Sequence, residues 1–125
     1  MQIGYFNTAE FASRDGKPSP FGETVVAREL IVRLNAIRAA FGKPIIVTSG
    51  YRSPEHNKNV GGVKNSTHVR GLAADIQPKD LNDLDELFEI VQKFNQKGGI
   101  GRYDDFIHVD VRGVAARWDK RNDKS

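Results

Sequence analysis

The stretch Ser66-Thr67-His68-Val69-Arg70-Gly71-Leu72-Ala73-Ala74-Asp75 carries a histidine and a carboxylate. A second stretch, Asp105-Phe106-Ile107-His108-Val109-Asp110, adds another histidine. The chain has only three histidines, so two of them fall within these two segments. Two imidazoles and one carboxylate form a known ligand set for a zinc ion that keeps one coordination position open for water. The two stretches therefore predict a zinc centre with His68, Asp75 and His108 as ligands.

Both stretches contain runs that we expect to be strands. Residues 72–76 and 106–111 are rich in apolar and β-branched side chains. Pairing of these strands would bring Asp75 close to His108, and His68 would reach them from the loop before the first strand. The predicted ligands can therefore converge on one metal ion.

Two further carboxylates lie near the last histidine. Side chains alternate along a strand, so Asp110 shares a face with His108 and could orient its imidazole by a hydrogen bond. Asp105 is placed to take a proton from metal-bound water. Because it precedes His108 by three residues, Asp105 can share that face only from a turn or a bulge before the strand begins.

A long polar segment, residues 49–71, precedes the first metal-binding strand. Compact domains rarely keep such a loop without a function for it. Arg52 in this loop can bind a carboxylate through two parallel hydrogen bonds; an ion pair within the loop is the structural alternative. Tyr51 beside it either packs against the core or offers its hydroxyl to a substrate.

The remaining sequence indicates a single α+β domain over residues 1–125. We expect an irregular N-terminal arm over residues 1–22, with Phe6, Phe11 and Phe21 against the core. We then expect these elements in order: helix 23–41, buried strand 45–48, helical turn 54–60 capped by Ser53, strand 72–76, a helix capped by Asn82, and strands 100–103 and 106–111. Residues 119–125 are expected to be frayed. The predicted fold is a small, mainly antiparallel sheet with flanking helices.

Composition narrows the class of protein. The chain has 125 residues, no cysteine and a net charge of +3. Metal ligands must therefore be histidines and carboxylates. The positive charges are scattered, so we expect no specific nucleic-acid binding. We also expect a monomer made in the cytoplasm without membrane insertion, because neither a signal sequence nor an apolar run of about 20 residues is visible.

Three blocks together carry a resemblance to a known family. They are Ser49-Gly50-Tyr51-Arg52-Ser53, Ser66-x-His68-x-x-Gly71-x-Ala73-x-Asp75 and Asp105-x-x-His108-x-Asp110. They resemble the zinc D-alanyl-D-alanine carboxypeptidases, which include vancomycin-resistance D,D-peptidases and several phage endolysins and share the fold of the Hedgehog signalling domain. The resemblance spans about residues 21–118, with all blocks in family order.

This resemblance implies roles for individual residues. One zinc ion per chain would be held by His68, Asp75 and His108, with Asp105 as the catalytic base. Arg52 would bind the substrate carboxylate or polarise its carbonyl. Ser66 would help to line the site, and Tyr51 would lie beside the substrate.

The expected function is cleavage of peptidoglycan stem peptides by a phage or prophage lysis protein that reaches the cell wall after leaving the host cytoplasm. A cytoplasmic dipeptidase is the neighbouring enzyme hypothesis. From a different class, the chain could be a phage cell-wall-binding module that keeps the zinc but has lost catalysis. A nuclease hypothesis is supported only by the basic charge and the polar loop.

Overall fold

The computed structural model describes residues 1–122. The strands are β1 (Gln2–Ile3), β2 (Phe6–Asn7), β3 (Ile45–Ser49), β4 (Ala73–Pro78), β5 (Gly99–Arg102), β6 (Ile107–Asp110) and β7 (Ala116–Asp119). The α-helices are α1 (Arg28–Phe41), α2 (Pro54–Asn59) and α3 (Leu84–Phe94). Short 3-10 turns cover Thr8–Phe11, Gly22–Thr24 and Leu81–Asp83.

The main sheet has five strands in the order β3-β4-β6-β5-β7. Its first three pairings are antiparallel, and only β5 and β7 run parallel. The predicted α+β class with a mainly antiparallel sheet is therefore confirmed. Among the described residues, no helix is both long and apolar enough to cross a membrane.

Helix α1 covers one side of the sheet with an apolar stripe. Leu30, Leu34, Ile37 and Phe41 recur every three or four residues, and all four are buried. The helix begins at Arg28 rather than at the predicted residue 23, because a 3-10 turn and the positive φ of Val25 interrupt the chain first. It ends where predicted, at Gly42 in the left-handed conformation.

Helix α3 has no capping side chain of its own, because its N-cap residue Asp83 makes no capping hydrogen bond with its side chain, and the cap lies at the preceding 3-10 turn Leu81–Asp83. Asp80, not Asn82, supplies the capping side chain, and it accepts a hydrogen bond from the Asn82 backbone N–H at the start of the 3-10 turn. Leu87 and Val91 are fully buried as predicted, whereas Phe94 at the last turn is 41% exposed. A residue at the frayed end of a helix has fewer neighbours to cover it.

The two faces of the central strands differ in chemistry. On one face Ala74, Ile76, Ile107 and Val109 are fully buried in the apolar core. Side chains alternate along a strand, so the intervening residues of β4 and β6 project from the other face. These residues are Ala73, Asp75, His108 and Asp110. The fold thus separates an apolar face from a face that carries ionisable groups.

The N-terminal arm and residues 119–122 are more ordered than the sequence predicts. The arm contains the β1–β2 hairpin, and Phe6 and Phe11 are buried, but Phe21 is 40% exposed. The frayed tail was predicted to begin at residue 119, yet Asp119 ends strand β7. The Lys120 backbone N–H donates to Arg102, and Asn122 bonds Asp104. Residues 123–125 of the predicted tail lie outside the described part of the chain.

Candidate metal centre

Strand pairing brings the predicted ligands together. Asp75 of β4 is directly opposite His108 of β6 in the antiparallel register. His68 approaches from the loop before β4, and one donor atom from each of the three residues lies within 4.8 Å of the others. All three residues are buried. Among the described residues, this is the group of histidines and carboxylates with the spacing of a metal site.

The ring of His68 is held by the protein backbone. Its Nδ1 donates to the carbonyl oxygen of Gly50 over 2.8 Å. Its Nε2 is 3.2 Å from Asp75 Oδ1. The hydroxyl of Ser66 accepts a hydrogen bond from the His68 backbone N–H. Because Nδ1 carries the donated proton, Nε2 keeps its lone pair for a metal ion.

His108 is oriented in the opposite sense. Its Nε2 donates to Asp110 Oδ2 over 2.8 Å, and its Nδ1 lies 3.2 Å from Asp75 Oδ1. Asp110 is fully buried and also accepts hydrogen bonds from the Gly99 backbone and from the Arg112 side chain. This carboxylate fixes the tautomer in which Nδ1 is the metal-facing nitrogen.

The electrostatics favour anionic carboxylates. Burial by itself raises the pKa of Asp75, but in the metal-free protein protonated His108 and His68 donate hydrogen bonds to this carboxylate, which outweigh burial and hold that pKa below its usual range. Burial by itself raises the pKa of Asp110, but hydrogen bonds from His108 and Arg112 outweigh it and lower that pKa. Burial lowers the pKa of His108, and the two facing carboxylates more than compensate, so the net shift is upward.

The donor set fits a zinc ion. It offers two imidazole nitrogens and one carboxylate oxygen, the set found in catalytic zinc sites that leave a position for water. The other nitrogen of each imidazole has a hydrogen-bond acceptor, as is typical of metal-binding histidines. Cysteine is absent from the chain, so thiolate ligation is excluded.

The ligands open into a cavity of about 710 Å³. Arg52 lines it, with Nη2 3.5 Å from Asp75 Oδ2, and its other nitrogens contact Ser49 and Asn57. Ser66 lines it too. Both residues therefore lie where the sequence-based interpretation needs them, although Arg52 also has a carboxylate partner within the protein.

Two predicted site residues lie elsewhere. Tyr51 is only 6% exposed and belongs to the apolar core, so it packs there rather than lining the cavity. Asp105 is exposed in the turn between β5 and β6, and it is absent from the described residues that line the cavity. The turn itself is closed by a hydrogen bond from the Tyr103 N–H to the Phe106 carbonyl oxygen.

Several neighbours of the site were not predicted. Gly50 contributes only a carbonyl oxygen, which no side-chain motif reveals. The cavity is also lined by Tyr103, Phe106 and Arg112, and by Trp118, which the sequence predicts to cover either the core or the rim of the cleft. The alternation that places Asp110 on the same face as His108 would also place residue 112 on that face. The position of Trp118 depends on a strand pairing that sequence patterns do not show.

Comparison with known proteins agrees with this geometry. The zinc D-Ala-D-Ala carboxypeptidase of Streptomyces albus G is 53% identical to the chain over 45 residues. The matched segment is 35% of this chain and 18% of that relative, so the chain spans less than a fifth of the relative's length. A sequence model of the peptidase M15 family matches residues 4–110. The resemblance inferred from the three sequence blocks is confirmed, and the chain belongs to the peptidase M15 family.

Proposed function

We propose that the chain is a zinc-dependent peptidase that cleaves the stem peptides of bacterial peptidoglycan, as a D-Ala-D-Ala carboxypeptidase or an endolysin-type peptidase. The observation that carries this proposal is the convergence of His68, Asp75 and His108 at the base of an open cavity. Membership of a peptidase family and a relative named as a zinc D-Ala-D-Ala carboxypeptidase support the same reaction.

The three converging residues would hold one zinc ion. When bound, zinc supplies a Lewis acid that lowers the pKa of water and polarises a peptide carbonyl. Gly50 and Asp110 hold the two imidazoles in the tautomers that such binding requires. The protein thus contributes a rigid, buried set of ligands beside a substrate-sized space.

Asp105 is proposed as the general base. Its carboxylate would accept a proton from the attacking water and return it to the leaving amine. The side chain is exposed in the hairpin turn, three residues before His108, and its neighbour Phe106 lines the cavity. The role therefore requires the Asp105 side chain to rotate toward the cavity when substrate is bound. Exposed side chains change rotamer in picoseconds to nanoseconds, so this motion would not limit turnover.

Arg52 is proposed to recognise the substrate. Its guanidinium lines the cavity and is about one-fifth exposed, so one edge can reach a bound carboxylate or carbonyl oxygen. The 3.5 Å separation from Asp75 is longer than a strong charge-assisted hydrogen bond. Arg52 is therefore able to exchange this partner for a substrate group, and Ser66 lines the cavity near it.

We propose that the protein acts as a monomer on the cell wall in a phage or prophage lysis context. The alternative is a wall-binding module that holds zinc without catalysis. The two differ in whether turnover depends on a base while the metal stays bound. Retention of an aspartate three residues before His108 favours the enzyme, because a binding module has no need of a proton acceptor at that position.

The proposal is tested with zinc-loaded protein and defined muropeptides, with products identified by mass. We expect loss of one D-alanine or cleavage of the stem, abolished by a chelator and restored by zinc. Asp105→Asn should retain zinc and fold normally but lose turnover by roughly 10²–10⁴-fold, the range for general acid–base catalysis.

Three outcomes would count against the proposal or a part of it. Zinc-loaded protein that binds muropeptides without cleaving any of them would favour the wall-binding module. Full activity of Asp105→Asn would remove Asp105 from the mechanism, whereas loss of zinc from this variant would make Asp105 a ligand. Asp104→Asn is the matched control, because Asp104 occupies the same turn and bonds Asn122.

A further inference from the structure

The tryptophan of β7 reaches the metal centre across a neighbouring strand. Trp118 is directly opposite Gly101 of β5, and Gly101 is directly opposite His108 of β6. The indole crosses Gly101 and lies 5.0 Å, centroid to centroid, from the imidazole of His108. A Cβ atom at residue 101 would come within 2.3 Å of the indole nitrogen. Gly101 therefore leaves the space that the indole occupies.

The indole is held in place from several sides. Its Nε1 donates to the Tyr103 hydroxyl over 2.9 Å. The Arg112 guanidinium lies over the ring at 5.4 Å from the centroid, and the same guanidinium is anchored on the buried Asp110. A ring with these contacts has little freedom to turn, so it presents a fixed surface to the cavity.

Trp118 also belongs to an apolar wall. It lines the cavity together with Tyr103 and Phe106, whose rings are stacked at a centroid distance of 4.3 Å. The cations Arg70 and Lys120 line the same cavity, so a positively charged substrate side chain is disfavoured. The wall suits an uncharged aliphatic group. Trp118 lies beyond residues 4–110, the range that the family model matches.

We propose that Trp118 is a specificity-determining residue, whose indole packs against the aliphatic side chain of the amino acid next to the scissile bond. This inference rests on the peptidase function proposed above. Because the indole touches a ligand of the metal, a side chain beside the reacting carbonyl is the part of a peptide that would meet it. For a peptide ending in D-Ala-D-Ala, that group is a methyl.

The test compares a peptide ending in D-Ala-D-Ala with two analogues in which one or the other alanine is glycine. Wild-type protein should prefer the parent over at least one analogue by roughly 10-fold or more in kcat/KM, the value of one methyl group in an apolar pocket. Trp118→Ala should reduce this ratio of kcat/KM values to less than about threefold, whereas Trp118→Phe should retain most of the preference. Tyr5→Ala removes an exposed ring that does not line the cavity, and should leave the ratio unchanged.

A binding measurement separates this inference from the function on which it rests. Trp118 is the only tryptophan of the chain, so intrinsic fluorescence reports on the cavity wall directly. A reduced-amide analogue of the parent peptide, which cannot be hydrolysed, should change this emission on binding to zinc-loaded protein. The same analogue with glycine should bind more weakly to the wild type, and this difference should disappear in Trp118→Ala, whose binding is measured by calorimetry because the variant has no tryptophan.

The possible results are distinguishable. Binding with the expected selectivity but without cleavage would refute the proposed peptidase function and leave Trp118 as a selectivity residue. Cleavage with the same alanine-to-glycine ratio in wild type and in folded, zinc-loaded Trp118→Ala would overturn the role of Trp118 and leave the peptidase intact. Absence of both binding and cleavage would overturn both.

Discussion

Replacing Asp110 by asparagine should weaken zinc binding through the tautomer of His108. In the wild type, Asp110 Oδ1 accepts from the Gly99 backbone, and Oδ2 accepts from His108 Nε2. Asparagine can keep the first bond, but its amide NH₂ would then face the imidazole N–H. The conflict is relieved if the proton moves to Nδ1, which is the nitrogen that faces Asp75. A protonated Nδ1 cannot bind a metal.

The expected losses of zinc affinity and folding stability follow from the contacts that Asp110 makes. Loss of a partner that orients a metal-binding histidine typically lowers metal affinity by about 10–100-fold, which is about 1.4–2.8 kcal/mol. Folding should be weakened by about 1.5–3 kcal/mol, the range for a hydrogen bond to a charged group. The Arg112 side chain, 30% exposed, keeps access to water and is not left as an isolated buried charge.

The assay is competition for zinc between folded protein and a chromophoric chelator. The zinc affinity of His108→Ala is the reference for a site that has lost one ligand. His56→Ala sets the value for an intact site, because His56 lies outside the group of converging donors. We expect the zinc affinity of Asp110→Asn to lie between the affinities of these two variants. Zinc affinity equal to that of the wild type in a folded Asp110→Asn protein would refute the argument that Asp110 fixes the metal-facing nitrogen.

Two predictions concern stability. Gly71→Ala should lower the free energy of unfolding by more than the roughly 1–2 kcal/mol of left-handed strain, because its φ is +70° and a Cβ would lie 2.4 Å from the Phe21 ring. Gly42→Ala is the control with backbone strain alone, because Gly42 has a φ of +75° and open space where a Cβ would lie. Equal losses of unfolding free energy for the two variants in denaturant would contradict the steric contribution of Phe21. The hydrogen bond from Ser53 lowers the pKa of Asp15 from 3.8 to about 2, so its contribution is present above about pH 4 and is lost as pH falls toward 2. Asp15→Asn should therefore be less stable than the wild type at pH 6 and equal to it near pH 2, and an undiminished difference at pH 2 would contradict this.

Local patterns were enough to predict the elements that carry the candidate metal ligands. Apolar spacing located α1 and the buried face of α3, a β-branched run located β3, and short apolar runs located β4 and β6. The placement of Asp110 beside His108 followed from strand alternation alone. These inferences succeed because each depends on residues close together in the sequence.

The remaining features depend on long-range contacts. Strand β7 has the sequence Ala-Arg-Trp-Asp, an apolar–polar alternation of only four residues, and it forms by parallel pairing with β5. No pattern within those four residues indicates this partner, and the sequence predicts that residues 119–125 are frayed. Tyr51 is buried in the same core cluster as Phe6 and Phe11 of the N-terminal arm, and its backbone N–H donates to the Phe11 carbonyl oxygen. The position of the Asp105 side chain depends on a turn whose geometry the motif does not fix.

The register between β4 and β6 ties the fold to the chemistry. Because side chains alternate, a slip of β4 by one residue would turn Ala74 toward the cavity and Asp75 into the apolar core, and a slip of β6 would do the same to Val109 and His108. Burial of those apolar side chains therefore selects the same register that pairs Asp75 with His108. Glycines at the facing positions of β5 complete the arrangement, since a Cβ at Gly99 would come within 2.2 Å of the Asp110 carboxylate. The apolar core thus positions the candidate metal ligands, and the small residues beside them leave room for the groups that orient and cover the site.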